Sequence, residues 1–282
     1  MPTGPSLPAR LALAAFGGGT LLTLAGALPA AAGAITLTPH RATYALSLDG
    51  SKSARQVDGA QGEIVYEIRG SACSGYSVKL RQQTDLQTDG GGLLSSALDS
   101  TTWEDADAST YRFRIQNRVN TELRDDADGV AERKGASLMV KATKPEAESF
   151  ELKGGIVLPS QHVVKILTAA AAGDSVVEAP VYDGSPDGRK VYDTLAVIGK
   201  AKSATDGLED AAKAKGLDGR TRYPVTISYY EKGADATTPD YVISFDLYDN
   251  GVSRALKLDY GDFALRGTLT SYETLPTEEC AK

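Results

Sequence analysis

Hydrophobic residues alternate with polar or small residues along most of this chain. A period of two is typical of β-strands that bury one face and expose the other to water. The clearest alternating sets are Tyr44, Leu46 and Leu48; Ile64, Tyr66 and Ile68; Tyr76, Val78 and Leu80; and Tyr111, Phe113 and Ile115. The pattern predicts a mainly β fold built on an extended antiparallel sheet.

Clusters of glycine and aspartate interrupt this alternation and predict turns between strands. They lie at residues 90–92, 126–129 and 183–184. No internal repeat and no linker-like composition divides the rest of the chain. Residues 35–282 are therefore predicted to form a single domain, long enough to bury a substantial core.

The C-terminal third allows a strand register to be predicted. Asn250 followed by Gly251 is a strong hairpin signal, because a type I′ turn needs positive φ at both central positions. A turn there pairs three sets of residues on one apolar face: Phe245 with Leu256, Ile243 with Leu258, and Tyr241 with Tyr260. A second turn at Gly261 and Asp262 sets Tyr260 opposite Phe263 and Leu258 opposite Leu265. A one-residue slip would expose the apolar set, so residues 241–272 are predicted to form a three-stranded meander.

One segment carries a helical period instead. Apolar residues recur on one helix face at Val163, Ile166, Leu167 and Ala170. Ser160 is the expected N-cap, and Gly173 lies just past the expected end. These signals predict an amphipathic helix over residues 160–172 that packs on the concave face of the sheet, where any remaining space would be lipophilic. Residues 207–215 predict a second, shorter helix.

The first 34 residues are typical of a cleavable export signal. Arg10 precedes an apolar stretch over residues 11–28, and small residues occupy both recognition positions, Ala32 and Ala34. An uncleaved membrane anchor is the alternative, but three consecutive glycines interrupt a segment of marginal length. We expect a signal peptide over residues 1–34, a periplasmic location, and a mature protein that does not span the membrane.

The chain has two cysteines, Cys73 and Cys280. In an exported protein such a pair predicts one disulfide, which would tie the end of the domain to its beginning. A redox-active pair is the alternative, but these cysteines lack the C-x-x-C spacing that tunes the pKa of a thiol. A structural bridge is therefore favoured.

The charge balance is acidic, with 30 Lys and Arg against 37 Asp and Glu and a formal net charge of −7. The cations form no cluster along the sequence. This distribution argues against nucleic acid as a partner and against strong attraction to an anionic membrane.

Catalytic motifs are missing from the sequence. The two histidines, His40 and His162, have no partner at H-x-x-x-H spacing, and the chain contains no C-x-x-C and no G-x-S-x-G. Structural roles are favoured for both histidines. We therefore expect no catalytic residues, no metal site and no cofactor.

Five residues are the candidates for ligand binding: Trp103, His162, Tyr229, Tyr230 and Arg254. Seven of the thirteen tyrosines lie in the last sixty residues, where they serve either cross-strand packing or a groove lined by amphipathic rings. Tyr229 and Tyr230 are adjacent and must point to opposite faces of a strand. Arg254 is expected opposite Leu247, either protecting an edge or lying inside the lumen.

Several short motifs together resemble the envelope integrity protein B (EipB-like) family. They are TPHRATY at residues 38–44, GSACSGY at 70–76, LPSQH at 158–162, DNGVS at 249–253 and DYGDF at 259–263. The resemblance covers nearly all of the chain after residue 34. It implies a periplasmic alphaproteobacterial protein with a long, spiral, broken-barrel antiparallel sheet around a helix. It also implies a disulfide between the positions of Cys73 and Cys280, a role in maintaining the cell envelope, and an architecture similar to lipoprotein carriers.

The favoured hypothesis is a non-enzymatic periplasmic protein that supports envelope integrity. It would bind a lipid, a lipoprotein or a segment of an envelope protein in the concavity of its sheet. One alternative is an enzyme that modifies envelope glycans or lipids through carboxylates. The other is a scaffold whose sheet edges recruit a partner protein by strand addition.

Overall fold

The computed structural model describes residues 35–280 with short gaps. The gaps are residues 53–56, 204, 206, 214–215 and 234–236. The predicted signal peptide at residues 1–34 lies outside the described residues.

The described residues form fourteen strands, one α-helix and one 3₁₀ turn, at these bounds: β1 His40–Leu48, β2 Val57–Ser71, β3 Gly75–Thr88, β4 Gly92–Glu104, β5 Thr110–Val119, β6 Glu122–Lys134, β7 Ser137–Lys144, β8 Glu148–Leu152, α1 Pro159–Ala172, β9 Val176–Val181, β10 Tyr192–Ile198, the 3₁₀ turn Asp210–Lys213, β11 Arg222–Glu231, β12 Tyr241–Tyr248, β13 Ser253–Asp259 and β14 Ala264–Thr274.

All fourteen strands belong to one sheet in which each strand pairs antiparallel with its neighbours. The order is β8-β7-β6-β5-β4-β3-β2-β1-β14-β13-β12-β11-β10-β9. The first and last strands pair in the middle, and β8 and β9 are the edges, so the sheet does not close into a barrel. The predicted fold class, a long spiral antiparallel sheet with one helix, is confirmed. The chain passes from one edge to the other through α1.

The alternating sets predicted from the sequence lie in strands. Tyr44, Leu46, Ile64 and Ile68 are buried on the inner face, as the period of two requires. The predicted turn at residues 90–92 joins β3 to β4, and residues 183–184 lie in the loop between β9 and β10.

The predicted turn at residues 126–129 is wrong, because these residues lie inside β6. The string Asp-Ala-Asp-Gly also has a period of two. Asp126 and Asp128 point outward to Lys144 and Arg114, while Ala127 is fully buried. Gly129 is needed for close approach rather than for a turn, since a Cβ there would come within 2.7 Å of the Phe113 ring.

The β12–β13 hairpin turns differently from the prediction. Gly251 has a positive φ of 88°, but Asn250 does not have positive φ, so the turn is not type I′. The Gly251 N–H donates to the Tyr248 carbonyl at 2.9 Å and the Tyr248 N–H to Val252 at 2.8 Å, which makes a three-residue loop. The Thr38 N–H donates to the Asn250 carbonyl at 2.9 Å, and this contact from the N-terminal segment favours the longer loop.

The longer loop shifts the register by one residue, and a bulge then restores it. Ile243 pairs with Leu258, as predicted. Phe245 does not pair with Leu256, because the register shifts between Ser244 and Asp246. Ala255 supports the bulge with a φ of 49°. The predicted pair of Tyr241 with Tyr260 lies beyond the last pair of this ladder, which joins Val242 to Asp259.

The second predicted turn and the meander are confirmed. Leu258 pairs with Leu265, and the Tyr260 N–H donates to the Phe263 carbonyl at 3.0 Å. Gly261 has a φ of 86°, a conformation that glycine adopts without steric cost. Strands β12, β13 and β14 are consecutive neighbours in the sheet.

Helix α1 begins one residue earlier than predicted. Leu158 is the N-cap and Pro159 occupies the first helical position, where its missing N–H costs nothing. Ser160 is therefore not the N-cap. Gly173 ends the helix in the left-handed conformation with a φ of 85°, as predicted.

The apolar stripe of α1 faces the inside of the sheet. Ile166, Leu167 and Ala170 are buried, and Val163 is partly buried against the same cluster. This cluster joins α1 to side chains from both halves of the sheet, among them Ile68 on β2 and Val225 on β11. The helix thus connects strands that are far apart in the sheet order.

The second predicted helix is reduced to the 3₁₀ turn Asp210–Lys213. Ala212 in this turn, with Leu208 and Leu217 on either side, fills the core beneath β1, β13 and β14. Residues 214–215, at the predicted end of the helix, lie outside the described residues. Only Ala212 of the turn is buried, so this segment fills its part of the core without the apolar face of a longer helix.

The predicted disulfide between Cys73 and Cys280 is present, with Cα atoms 5.7 Å apart and a sequence separation of 207. It joins the β2–β3 turn to the segment that follows β14. Among the residues that the structure describes, no helix is both long and apolar enough to cross a bilayer.

Candidate functional site

A cavity of about 360 Å³ lies on the inner side of the sheet, beside the start of α1. Its wall is mainly apolar and comes from strands that are distant in the sheet order. The apolar side chains include Ile68, Val78, Leu98, Ile115, Ile227 and Phe245. This is the lipophilic space expected beside the helix, and its lining is typical of small-molecule sites.

Tyr229, which lines the cavity, belongs to a cluster of three packed tyrosines. The ring of Tyr229 on β11 stacks on that of Tyr241 on β12 with centroids 4.3 Å apart and planes 13° from parallel. Tyr192 on β10 meets both rings edge-on, at 6.0 and 5.7 Å. Because this arrangement fixes the ring of Tyr229, its contribution to the cavity wall is rigid.

The β9–β10 loop contributes two polar residues, Asp183 and Ser185, to the cavity wall. The Asp183 carboxylate accepts hydrogen bonds from the backbone N–H of Ser185 at 2.9 Å and from its hydroxyl at 2.7 Å. The Tyr111 hydroxyl donates to the Asp183 carbonyl at 2.9 Å. Burial raises the pKa of the Asp183 carboxyl, against the lowering effect of the Ser185 donors. The cavity wall is therefore mainly apolar, with polar groups from this loop, from β4 and from α1.

His162 lies on α1 and lines the same cavity. Its Nε2 is 3.3 Å from the Thr194 hydroxyl, which donates its own proton to the Ala179 carbonyl at 2.8 Å. Nε2 must therefore be the donor to Thr194. Burial, and then the charge of Lys165, lower the pKa of His162 to about 4, so the imidazole is neutral at physiological pH.

Glu104 anchors the helix beside the cavity. Its Oε2 accepts from the N–H of Ser160 at 2.7 Å, and its Oε1 accepts from the N–H of Gln161 at 3.0 Å. Burial raises the pKa of Glu104 to about 7, although both N–H donors act to lower it. Both carboxylate oxygens are engaged with the helix.

The other sequence candidates do not join the cavity. Tyr230 points to the opposite face from Tyr229, as predicted, and lines an outer groove with Asp193 and Leu195. Trp103 also lies on the outer face, where the Arg112 guanidinium sits 5.7 Å from its ring centroid. Of the five candidates, the structure brings together only His162 and Tyr229.

Arg254 belongs to a buried ion-pair network rather than to the cavity. It lies opposite Asp246, not Leu247, because of the register shift described above. Its Nε donates to Glu209 at 2.6 Å and its Nη1 to Asp246 at 2.8 Å. Arg222 donates to the same carboxylate of Asp246 at 3.2 Å. Arg254 thus ties the segment before the 3₁₀ turn to β12.

Sequence analysis missed Glu104, Asp183 and Phe245. Glu104 could have been found from the alternation along β4, because it lies an even number of positions from Leu94 and Leu98 and therefore on the same inner face. Trp103 lies an odd number of positions from them and therefore on the outer face. Phe245 also had a signal, because its alternation with Ile243 placed it on the apolar face of its strand, whereas the loop position of Asp183 carries no periodic signal.

An open β-spiral with a single helix against its inner face and an amphipathic cavity defines this molecule as a β-barrel-like protein. The chain belongs to the EipB-like family, whose sequence model matches residues 31–276. It is 36% identical over 268 residues to the cell envelope integrity protein EipB of Brucella abortus (strain 2308), covering 94% of both chains. It also matches the crystal structure of a β-barrel-like protein of a domain of unknown function from Brucella abortus, with a TM-score of 0.78 and 34% identity, covering 86% of this chain and 100% of that one.

Proposed function

We propose that this protein supports cell-envelope integrity from the periplasm by holding an acyl chain, free or as part of a lipoprotein, in the cavity beside α1. Residues 1–34 would be removed as a signal peptide, and residues 35–282 would act as one non-enzymatic domain. The name of the Brucella relative supports the envelope role. The observation that carries the binding role is a mainly apolar cavity wall that also contains a few polar groups.

The size and chemistry of the cavity suit an apolar chain with a polar head. Its volume of about 360 Å³ lies within the range of roughly 300–1,000 Å³ usual for small-molecule sites. Leu98, Ile227 and Phe245 offer contacts without hydrogen-bonding demand, so a hydrocarbon chain that packs against these three side chains would cover no polar side chain there. Asp183 and Ser185 of the β9–β10 loop would face the head group.

A carboxylate enzyme is supported less well. Among the described residues that line the cavity, Asp183 is the one carboxylate. Glu104 lies outside that lining, with both oxygens hydrogen-bonded to α1. Glycosidases need two carboxyl groups on either side of the bond that is cleaved, and this cavity offers one.

Strand addition at the sheet edges is also supported less well. The edge strand β8 has five residues, and its Glu151 is exposed. Short, charged edges are typical of strands that avoid pairing with other chains. At the other edge, Val157 already bridges Val181.

Native mass spectrometry with lipid extraction, on protein purified from the periplasm, tests the proposal. We expect wild-type protein to carry an acyl-bearing molecule in stoichiometric amount. Leu98→Trp should fill the cavity and abolish retention. Leu93→Trp is the matched control on the same strand, since Leu93 is 63% exposed on the outer face, and it should retain the ligand. Folding of both variants is checked by circular dichroism.

Two results would contradict the proposal. One is wild-type protein that carries no acyl-bearing molecule after periplasmic expression and binds none when mixed with lipid. The other is equal retention by the folded Leu98→Trp variant and the control.

A further inference from the structure

Cations that are scattered along the sequence come together on the outer face of the sheet. Six exposed residues of β1 to β5 form this group, the outer basic face: Arg41, Arg69, Lys79, Arg81, Arg112 and Arg114. The strand registers create it. Arg41 pairs with Glu67, Glu67 with Lys79, Lys79 with Thr101 and Thr101 with Arg114 in one row. Arg69, Ser77, Trp103 and Arg112 form the next row.

The outer basic face has an excess of positive charge. Glu67 pairs with both Arg41 and Arg69, Asp99 with Arg81, and Asp128 with Arg114. Glu273 on β14 also lies opposite Arg41, so six cations meet four carboxylates, on a chain whose net charge is −7. The expectation that this protein has no basic cluster holds for the sequence but not for the folded sheet.

Trp103 lies within the outer basic face, between Ser77 and Arg112 in its row. It is the chain's one tryptophan, it is partly exposed, and it lies directly opposite Arg112 on β5. Beside it runs a groove of about 760 Å³ bounded by Thr101, Gly129 and Val130. A tryptophan flanked by arginine is the combination that favours the interface between water and bilayer, where the ring meets apolar chains and the cations meet phosphates.

We propose that the outer basic face docks the protein on a bilayer surface that is rich in anionic phospholipid. The charges are spread over five strands, about 20 Å at the usual strand spacing, and do not converge on one point. An array of head groups can neutralise them together, whereas a single small anion could contact only one or two. Docking by the outer face leaves the cavity on the inner face free, so this proposal does not depend on a ligand in the cavity.

Vesicle flotation tests the docking, using protein purified from the periplasm. We expect binding to vesicles rich in phosphatidylglycerol, little binding to vesicles of phosphatidylcholine alone, and loss of binding at high salt because exposed charges are screened. Each cation near an anionic surface contributes about fivefold in affinity. The double variant Lys79→Glu with Arg112→Glu should therefore lose at least about 25-fold.

The matched control is Lys165→Glu with Lys200→Glu, which changes the net charge equally at exposed sites outside the outer basic face. It should bind as wild type does, and equal unfolding midpoints would exclude misfolding.

Trp103 fluorescence should shift to shorter wavelength on phosphatidylglycerol vesicles. The proposal is overturned if both double variants lose affinity equally, if phosphatidylcholine binds as well, or if the protein binds acidic polypeptides but no vesicles. Unchanged vesicle binding by Leu98→Trp would show that docking on the bilayer does not depend on ligand binding in the cavity.

Discussion

The carboxylate of Glu104 on β4 accepts a hydrogen bond of 2.7 Å from the backbone N–H of Ser160 in the first turn of α1. The two residues are 56 positions apart, so the contact fixes the helix against a strand from the other half of the chain. A carboxylate at a helix N-terminus is stabilised by the unpaired N–H groups and by the helix dipole. Burial opposes this effect and raises the pKa of Glu104 to about 7.

Because of this raised pKa, Glu104 should make stability depend on pH. The folded protein holds a proton on Glu104 up to about pH 7, whereas the unfolded chain releases it near its ordinary pKa of 4.5. The contribution of Glu104 is therefore complete below pH 4.5 and is lost as pH rises to about 7, by up to roughly 3 kcal/mol. Urea unfolding of wild type and Glu104→Gln between pH 4 and 8 measures the difference. Glu63→Gln, at an exposed site on β2, is the control. A difference curve that is flat over this range would contradict the prediction.

His162 should make stability depend on pH in the opposite direction. Burial lowers its pKa to about 4, so between about pH 4 and 6.5 the unfolded chain binds a proton that the folded protein does not. Its contribution is present above pH 6.5 and is lost on acidification to pH 4, by up to roughly 3 kcal/mol. His162→Gln, which keeps a donor for Thr194, should lose less stability than wild type over this window. His40 is also buried with a lowered pKa. The contribution of His162 is therefore obtained from the difference in unfolding free energy between wild type and His162→Gln. Parallel curves would show that the prediction is wrong.

The Arg254 network predicts a large effect on stability. Arg254→Met would leave Glu209 buried without its guanidinium partner, and loss of one partner from a buried ion pair typically costs about 3–5 kcal/mol. Removing the second charge in Arg254→Met with Glu209→Gln should recover part of this loss. Urea unfolding of both variants measures the free energies. The interpretation fails if the double variant is as unstable as the single one.

The sequence predicts best what depends on local periodicity. The alternation of two assigned Tyr229 and Tyr230 to opposite faces, and Gly173 and Gly261 marked an end and a turn because both positions need left-handed backbone. These signals lie within a few residues of the feature they predict. They do not require knowledge of which strands become neighbours.

The register errors occur where a contact from a segment distant in sequence determines which turn forms. Thr38 bonds to the carbonyl of Asn250, so the β12–β13 turn takes three residues, and the bulge at Phe245 follows. The three-residue turn sets Arg254 opposite Asp246, while Glu209 reaches Arg254 from 45 positions away. The outer basic face has the same origin, since it exists only once five strands are in register.

The disulfide is expected to stabilise the protein mainly by limiting the unfolded chain. Cys73 and Cys280 close a loop with a sequence separation of 207, and the chain-entropy estimate for a loop of this length is about 5 kcal/mol. Cys280→Ser should lower the melting temperature while leaving the far-ultraviolet circular dichroism spectrum unchanged, because β14 pairs with β1 and β13 independently of the bridge. Reduction of wild type should give the same melting temperature as the variant. Two free thiols in non-reduced periplasmic protein, or a variant that melts with wild type, would show that the bridge does not stabilise the fold.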